Sequence, residues 1–136
     1  MKNLKMFCLT MESNHLDIIK KFNYIPVGLG SNNFNDKWFT DKIGDNISTK
    51  NKHYGEYTFH YWLWKNYLDK IDDSWIGFCQ YRKFWSIEKQ NILPKDLNQT
   101  EQLILKNIPE KLQKYETILG VESYVNKFKL MKFFKK

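Results

Sequence analysis

Three stretches of the sequence bring together side chains that can do chemistry. Asp45, Asn46, Ser48 and Asn51 fall within one short polar segment. Carboxylate, amide and hydroxyl groups of this kind bind sugar or ribose hydroxyls. The same segment can cap a following helix, with Ser48, Thr49 or Asn51 accepting from its orphan amides, and the two uses are compatible. Glu56 and His60 stand four residues apart and share a face if their segment is helical. Glu56 is then a candidate general base, or the two are an ordinary surface pair. Gln80-Tyr81-Arg82-Lys83 follows directly on an apolar run. The Arg82 guanidinium suits a diphosphate through its rigid fork of donors, with Lys83 adding charge; its alternative use is an ion pair with a carboxylate such as Glu56. Tyr81 and Trp85 can stack on a base or a pyranose ring, or close the core. His15 stands alone near the first predicted helix and receives no role.

These groups need elements to hold them. Leu4 to Thr10 reads as a short apolar strand, of the kind that is central in an α/β sheet. A helix is predicted from Asn14 to Phe22, ending ahead of Tyr24-Ile25-Pro26 because the residue before proline is pushed out of the helical region. Tyr24 to Leu29 reads as a second strand, and Ser31 to Asp36 with Thr40 to Asn46 as a long polar loop. One helix is predicted from His53 or Tyr54 to Leu68, with Tyr57, Tyr61, Trp64 and Leu68 packing on the sheet and further apolar residues at 59, 62, 63 and 67. Asp72-Asp73 marks a turn before a buried strand at 75–79, whose carboxyl end carries Gln80 to Lys83. Ligands of open α/β sheets settle beyond such strand ends. Farther on, Asn98-Gln99-Thr100-Glu101 resembles a capping box, Pro109 interrupts or restarts a helix, and Thr117 to Leu119 reads as a short strand or buried loop.

At 136 residues, with 42% hydrophobic and 27% charged residues, the chain is expected to form one globular domain over 1–136 that needs no disulfide or metal to fold. Cys8 and Cys79 lie in apolar runs without a second Cys or His at ligand spacing, so two reduced core thiols are expected rather than zinc. Five of the seven net positive charges belong to lysines of a basic aromatic tail, 123–136, leaving +2 for the preceding 122 residues. A charge so localised does not call for nucleic acid. As a helix, this tail could lie in an anionic membrane interface. No signal peptide or membrane span is read at the amino terminus, so a cytoplasmic location is expected, with peripheral attachment at the inner membrane through the tail as an alternative. Walker, dinucleotide, metalloprotease and nucleophile-elbow motifs are absent from the sequence, and no Asp-x-Asp follows the 75–79 strand. No cofactor is expected, and a divalent metal stays open.

Three blocks together resemble a bacterial glycosyltransferase-like family, formerly a domain of unknown function, of capsular-polysaccharide and other surface-glycan loci. They are Gly44-Asp45-Asn46-Ile47-Ser48 with Lys50-Asn51, Glu56-Tyr57-Thr58 running to Tyr61-Trp62-Leu63-Trp64-Lys65-Asn66, and Ile76-Gly77-Phe78-Cys79-Gln80-Tyr81-Arg82-Lys83-Phe84. The resemblance implies a truncated Rossmann-like, GT-A-like α/β fold, its mostly parallel sheet flanked by helices. It also implies transfer of a sugar from a nucleoside-diphosphate sugar to a glycan or lipid-linked acceptor. Asn46, Ser48, Asn51, Gln80 and Tyr81 would help hold the donor. Arg82, with Lys83 or Lys65, would neutralise the departing diphosphate, and Glu56 or Asp45 would deprotonate the acceptor. Relatives commonly carry His where this sequence has Gln80, and Gln takes up no proton near neutral pH. They are also usually longer, with an acceptor-binding half after the Tyr-Arg block. The other reading is therefore a catalytically inactive sugar- or nucleotide-binding module that partners a larger transferase.

Overall fold

The computed structural model describes residues 3–72, 74–90 and 92–121. The predicted 123–136 tail lies outside these residues. Four strands, β1 (Leu4–Thr10), β2 (Ile25–Gly28), β3 (Phe39–Thr40) and β4 (Trp75–Gln80), form one sheet in the order β3-β2-β1-β4. Every neighbouring pair is parallel. With β2 and β4 on either side, β1 is the central strand that its apolar sequence predicts.

Residues alternate between the two faces of a strand, so β1 feeds two cores. Met6 and Cys8 join Ile19, Phe22, Tyr24 and Cys79 on one face. Phe7 and Leu9 join Val27, Leu29, Phe59 and Leu63 on the other. Helix α1 (Leu16–Lys21) supplies the first face and α3 (Tyr57–Asn66) the second, the two-sided cover that parallel sheets require. Cys8 and Cys79 are buried, free and register partners across β1 and β4. The hydrogen bond between the thiols, reinforced by burial, pushes Cys79 far above its ordinary value.

Helix α1 stops earlier than Pro26 requires. Asn23 adopts φ +60, and the amides of Asn23 and Tyr24 donate to the carbonyls of Lys20 and Ile19, a Schellman ending. Pro26 instead lies within β2, opposite Cys8.

The long helix differs from its prediction in two ways. It is split into α2 (Asn51–Tyr54) and α3, because Gly55 at φ 55, ψ −130 turns the chain between them. The buried face is also the opposite one. Thr58, Phe59 and Leu63 pack inward, whereas Tyr57 and Trp64 are 64% and 58% exposed and Leu68 is exposed as well. Residues 59, 62, 63 and 67 thus outweigh the aromatic series at 57, 61, 64 and 68. Truncating Phe59 would cost about 3–5 kcal/mol.

Helix α4 (Leu97–Leu103) is capped by Asp96, which accepts from the Gln99 amide, two residues before the predicted cap. Gln99 Oε1 in turn accepts from the Lys95 amide. A 3-10 turn, Glu110–Leu112, starts after Pro109. Residues 117–119 form no strand, and Leu119 is exposed. The polar loop from 31 to 46 is interrupted by β3, after which Asp41 is fully buried, and neither of its carboxylate oxygens is hydrogen-bonded among the described residues. Among the described residues, no helix is long and apolar enough to cross a membrane.

Candidate functional site

The chain leaves β1 toward β2 on one side and returns with β4 on the other, so the strand order reverses at β1. Crevices at the carboxyl ends of strands flanking such a reversal are where ligands settle in open α/β sheets. A hollow of about 680 Å3 opens there, framed by Thr10 at the end of β1, Leu29 after β2 and Gln80 at the end of β4. Asn51, Gly55 and Glu56, from the α2–α3 junction, form a further wall. Another hollow, of about 600 Å3, lies at the amino ends of β1 and β4 around Leu4, Trp75 and Ile118. Part of the sequence-predicted polar set, Asn51, Glu56 and Gln80 to Arg82, lines the hollow at the carboxyl end.

There the Gln80 amide donates to Glu56 Oε2. This bond joins the last residue of β4 to the entry of α3, holds the carboxylate in place and leaves Oε1 free of that contact. It also answers the alternative for Arg82: among the described residues no salt bridge engages Arg82, and Glu56 is held by Gln80. Arg82 is exposed on the rim, and its guanidinium carbon lies 5.9 Å from the centroid of the Tyr81 ring. The Lys83 amide donates to the Gln80 carbonyl at 2.8 Å, closing a tight turn in which Arg82 takes φ +77. That position ordinarily belongs to Gly or Asn, and a long side chain held there costs of the order of 1–2 kcal/mol.

Tyr81 stacks on His15, with ring centroids 3.6 Å apart and planes inclined by 14°. Thr10 Oγ1 accepts from the Glu12 amide and lies 2.9 Å from His15 Nδ1. Burial lowers the His15 pKa, with Arg82 adding to the effect and Glu12 opposing it. Sequence reasoning passed over Thr10, Glu12 and His15, which line the hollow. The strand-end rule applied to β1, as it was to β4, points to Thr10.

The hollow therefore gathers Asn51, Glu56, Gln80, Tyr81 and Arg82 of the predicted set. Asn51 has structural work as well, its amide donating to the Gly55 carbonyl and to Thr58 Oγ1. Asp45, Asn46, Ser48 and Lys65 are not among the lining residues. Asp45 accepts from the Tyr61 hydroxyl, and its backbone exchanges hydrogen bonds with the Asn66 side chain. Gly44, at φ +79, brings the loop so close that a Cβ there would overlap Asn66. Trp62 Nε1 donates to the Ile43 carbonyl at 2.6 Å. Asn46 Oδ1 accepts from both the amide and the hydroxyl of Ser48, so the expected capping by Ser48, Thr49 or Asn51 is replaced by an Asn46 bond to the first amide of the 3-10 turn Ser48–Lys50. Lys65 Nζ lies 3.8 Å over the Trp64 ring on the outer face of α3.

Lys83 borders a smaller hollow of about 340 Å3, together with His60, Phe78 and Trp85. Leu9, Glu56 and Gln80 line both spaces. The Trp85 indole is fixed by donating to the Phe78 carbonyl at 2.7 Å. His60 packs 4.2 Å from the Phe78 ring, and burial lowers its pKa against the opposing charge of Glu56. Among the described residues no group of three or more His, Cys, Asp or Glu could hold a metal ion.

No curated protein and no solved structure matches the chain. Residues 6–136 match the family described as a domain of unknown function, DUF4422, and the chain belongs to that family.

Proposed function

We propose that the crevice between β1 and β4 binds a nucleoside-diphosphate sugar and that the chain transfers its sugar to a glycan or lipid-linked acceptor in surface-polysaccharide synthesis, as a GT-A-like transferase. The observation that carries this reading is Arg82, held at φ +77 on the rim of a hollow whose wall includes a carboxylate fixed by Gln80. A strained backbone that presents to a cleft a guanidinium without a salt bridge among the described residues has a use in binding, since it costs stability. In the reaction, the acceptor hydroxyl oxygen bonds to the anomeric carbon while the bond from that carbon to the diphosphate oxygen breaks. The electron pair leaves with the diphosphate, where Arg82 neutralises it, and the acceptor proton passes to Glu56 Oε1. Glu56 is preferred to Asp45 as base because Asp45 faces Tyr61 and the outer side of α3. The His15–Tyr81 stack offers an aromatic face for a base or sugar ring. The cytoplasmic location and the attachment of the 123–136 tail to an anionic membrane belong to the same proposal.

Calorimetry against a panel of nucleoside diphosphates and their sugars, with and without manganese, tests it. Binding that R82A weakens at least tenfold supports the reading; parent and R82A binding alike would overturn it. A second reading, an inactive binding module, is favoured by Gln80, which supplies no proton transfer. Hydrolysis or transfer by the pure chain, lost in E56Q, would decide against it.

A further inference from the structure

The proposed transfer requires an acceptor hydroxyl within hydrogen-bond reach of Glu56, on the side away from the diphosphate. The 340 Å3 hollow meets that requirement. It shares Leu9, Glu56 and Gln80 with the larger space, so one carboxylate stands in the wall between two adjoining cavities. Its volume falls at the lower end of small-molecule sites, which run from roughly 300 to 1,000 Å3. The lining is divided in character: Leu9, Phe78 and Trp85 are apolar, while Glu56, Gln80 and Lys83 carry donors and acceptors. A pyranose has this same division, with an apolar C–H face and a rim of hydroxyls. Trp85 is half-buried and locked by its bond to the Phe78 carbonyl, which fixes the indole before any ligand arrives. Lys83 is exposed and, among the described residues, forms no salt bridge, so its ammonium is available as a donor.

We infer that this hollow is an acceptor subsite for the terminal pyranose of a glycan, with one hydroxyl directed at Glu56, the ring against Trp85 and Phe78, and Lys83 bonding a second hydroxyl. The inference rests on the donor reading for the direction of transfer, but the site itself does not. It places acceptor recognition within residues 9–85 rather than in a further half of the protein. It also gives Lys83 a different duty from Arg82, three bonds along the same turn but facing the other cavity.

The test is a nuclear magnetic resonance titration of the intact chain with a panel of methyl hexopyranosides and, separately, with uridine, guanosine and adenosine diphosphates. The expected result is that a hexopyranoside shifts the Trp85 indole N–H and the Phe78 and Cys79 amides, and that K83A weakens this binding at least fivefold while any diphosphate affinity stays within twofold. R82A should show the converse. Hexopyranosides that leave those three signals unmoved while a diphosphate binds would overturn the subsite and spare the donor reading. K83A weakening the diphosphate instead of the glycoside would also overturn it. Glycoside binding at those signals with no diphosphate binding would keep the subsite and remove the donor reading. Silence from both panels would remove both.

Discussion

The left-handed backbone at Arg82 allows binding and stability to be separated by two substitutions at one position. R82A removes the guanidinium and its contact with Tyr81 but keeps a Cβ, so the strain at φ +77 remains. R82G removes the same group and also the strain. The difference between the two variants therefore isolates the backbone. Relief of the left-handed conformation is worth about 1–2 kcal/mol, and the greater freedom of glycine in the unfolded chain takes back about 0.5–1 kcal/mol. R82G should then be more stable than R82A by about 0.75 kcal/mol at the middle of these ranges. With unfolding entropies of about 2.1 cal/mol/K per residue, this is a difference in Tm of about 2–4 °C for a chain of this length. Thermal and urea unfolding followed by circular dichroism measure it, with an unchanged m-value showing that stability changed and the surface exposed on unfolding did not. Both variants should lose nucleoside-diphosphate binding equally. An R82G no more stable than R82A would refute the strain argument. An R82G that kept full affinity would refute the role of the guanidinium.

Gly44→Ala meets both a positive φ and the Asn66 side chain, so it should cost about 2–4 kcal/mol in urea unfolding. The diphosphate affinity of the folded fraction should be unchanged if the Asp45 loop serves only structure; a tenfold loss would return Asp45 to the site. His15 and His60 both have folded-state pKa values lowered chiefly by burial from an ordinary 6.5, so the unfolded chain binds protons first. Stability should be full above pH 6.5 and fall as the pH drops through that value toward the lower folded-state values; a Tm that rises between pH 7.5 and 5.5 would contradict this. Asp41→Asn exchanges a fully buried carboxylate, without hydrogen bonds among the described residues, for a neutral isostere, and Tm should rise. A fall would mean that the charge has a partner in solution. Deleting 123–136 removes five lysines, each worth about 1 kcal/mol at an anionic surface, and should lower co-sedimentation with phosphatidylserine vesicles at least tenfold. Equal sedimentation of both chains would dispose of membrane attachment.

The strands were readable because burial on both faces leaves a mostly apolar run, and LKMFCLT, broken by Lys5, and WIGFC are such runs. β3, with two residues, is too short to carry a pattern. The helix at 51–66 misled for a physical reason. Aromatics occupy 57, 59, 61, 62, 64 and 67, on both sides of the helix, so spacing alone gives two competing faces, and the choice is made by which side meets Phe7 and Val27. The break at Gly55 was equally hidden, since a single glycine in a helical pattern is usually tolerated. The cap at Asp96 was missed because Ser, Thr, Asn and Asp are dense throughout that stretch, and only the geometry selects one.

For the candidate site, the residues that the sequence singled out at the end of β4 lie at the hollow or beside it, whereas Asp45, Asn46 and Ser48 of the loop before α2 do not line it. A run of short polar side chains binds ligands and folds its own backbone by the same hydrogen bonds, and composition does not separate the two uses. Here Asn46 and Ser48 bond each other, and Asp45 bonds Tyr61 and Asn66. These hydrogen bonds build the loop that pins α3. What α3 then delivers to the cleft is Glu56 at its amino end, where Gln80 meets it. On the proposed reading the loop bears on function through the position of Glu56, and a substitution there should disturb turnover by moving the carboxylate rather than by removing a ligand contact. That difference is measurable: a loop variant should lower kcat with nucleotide affinity intact, whereas a cleft variant such as R82A should lower affinity first.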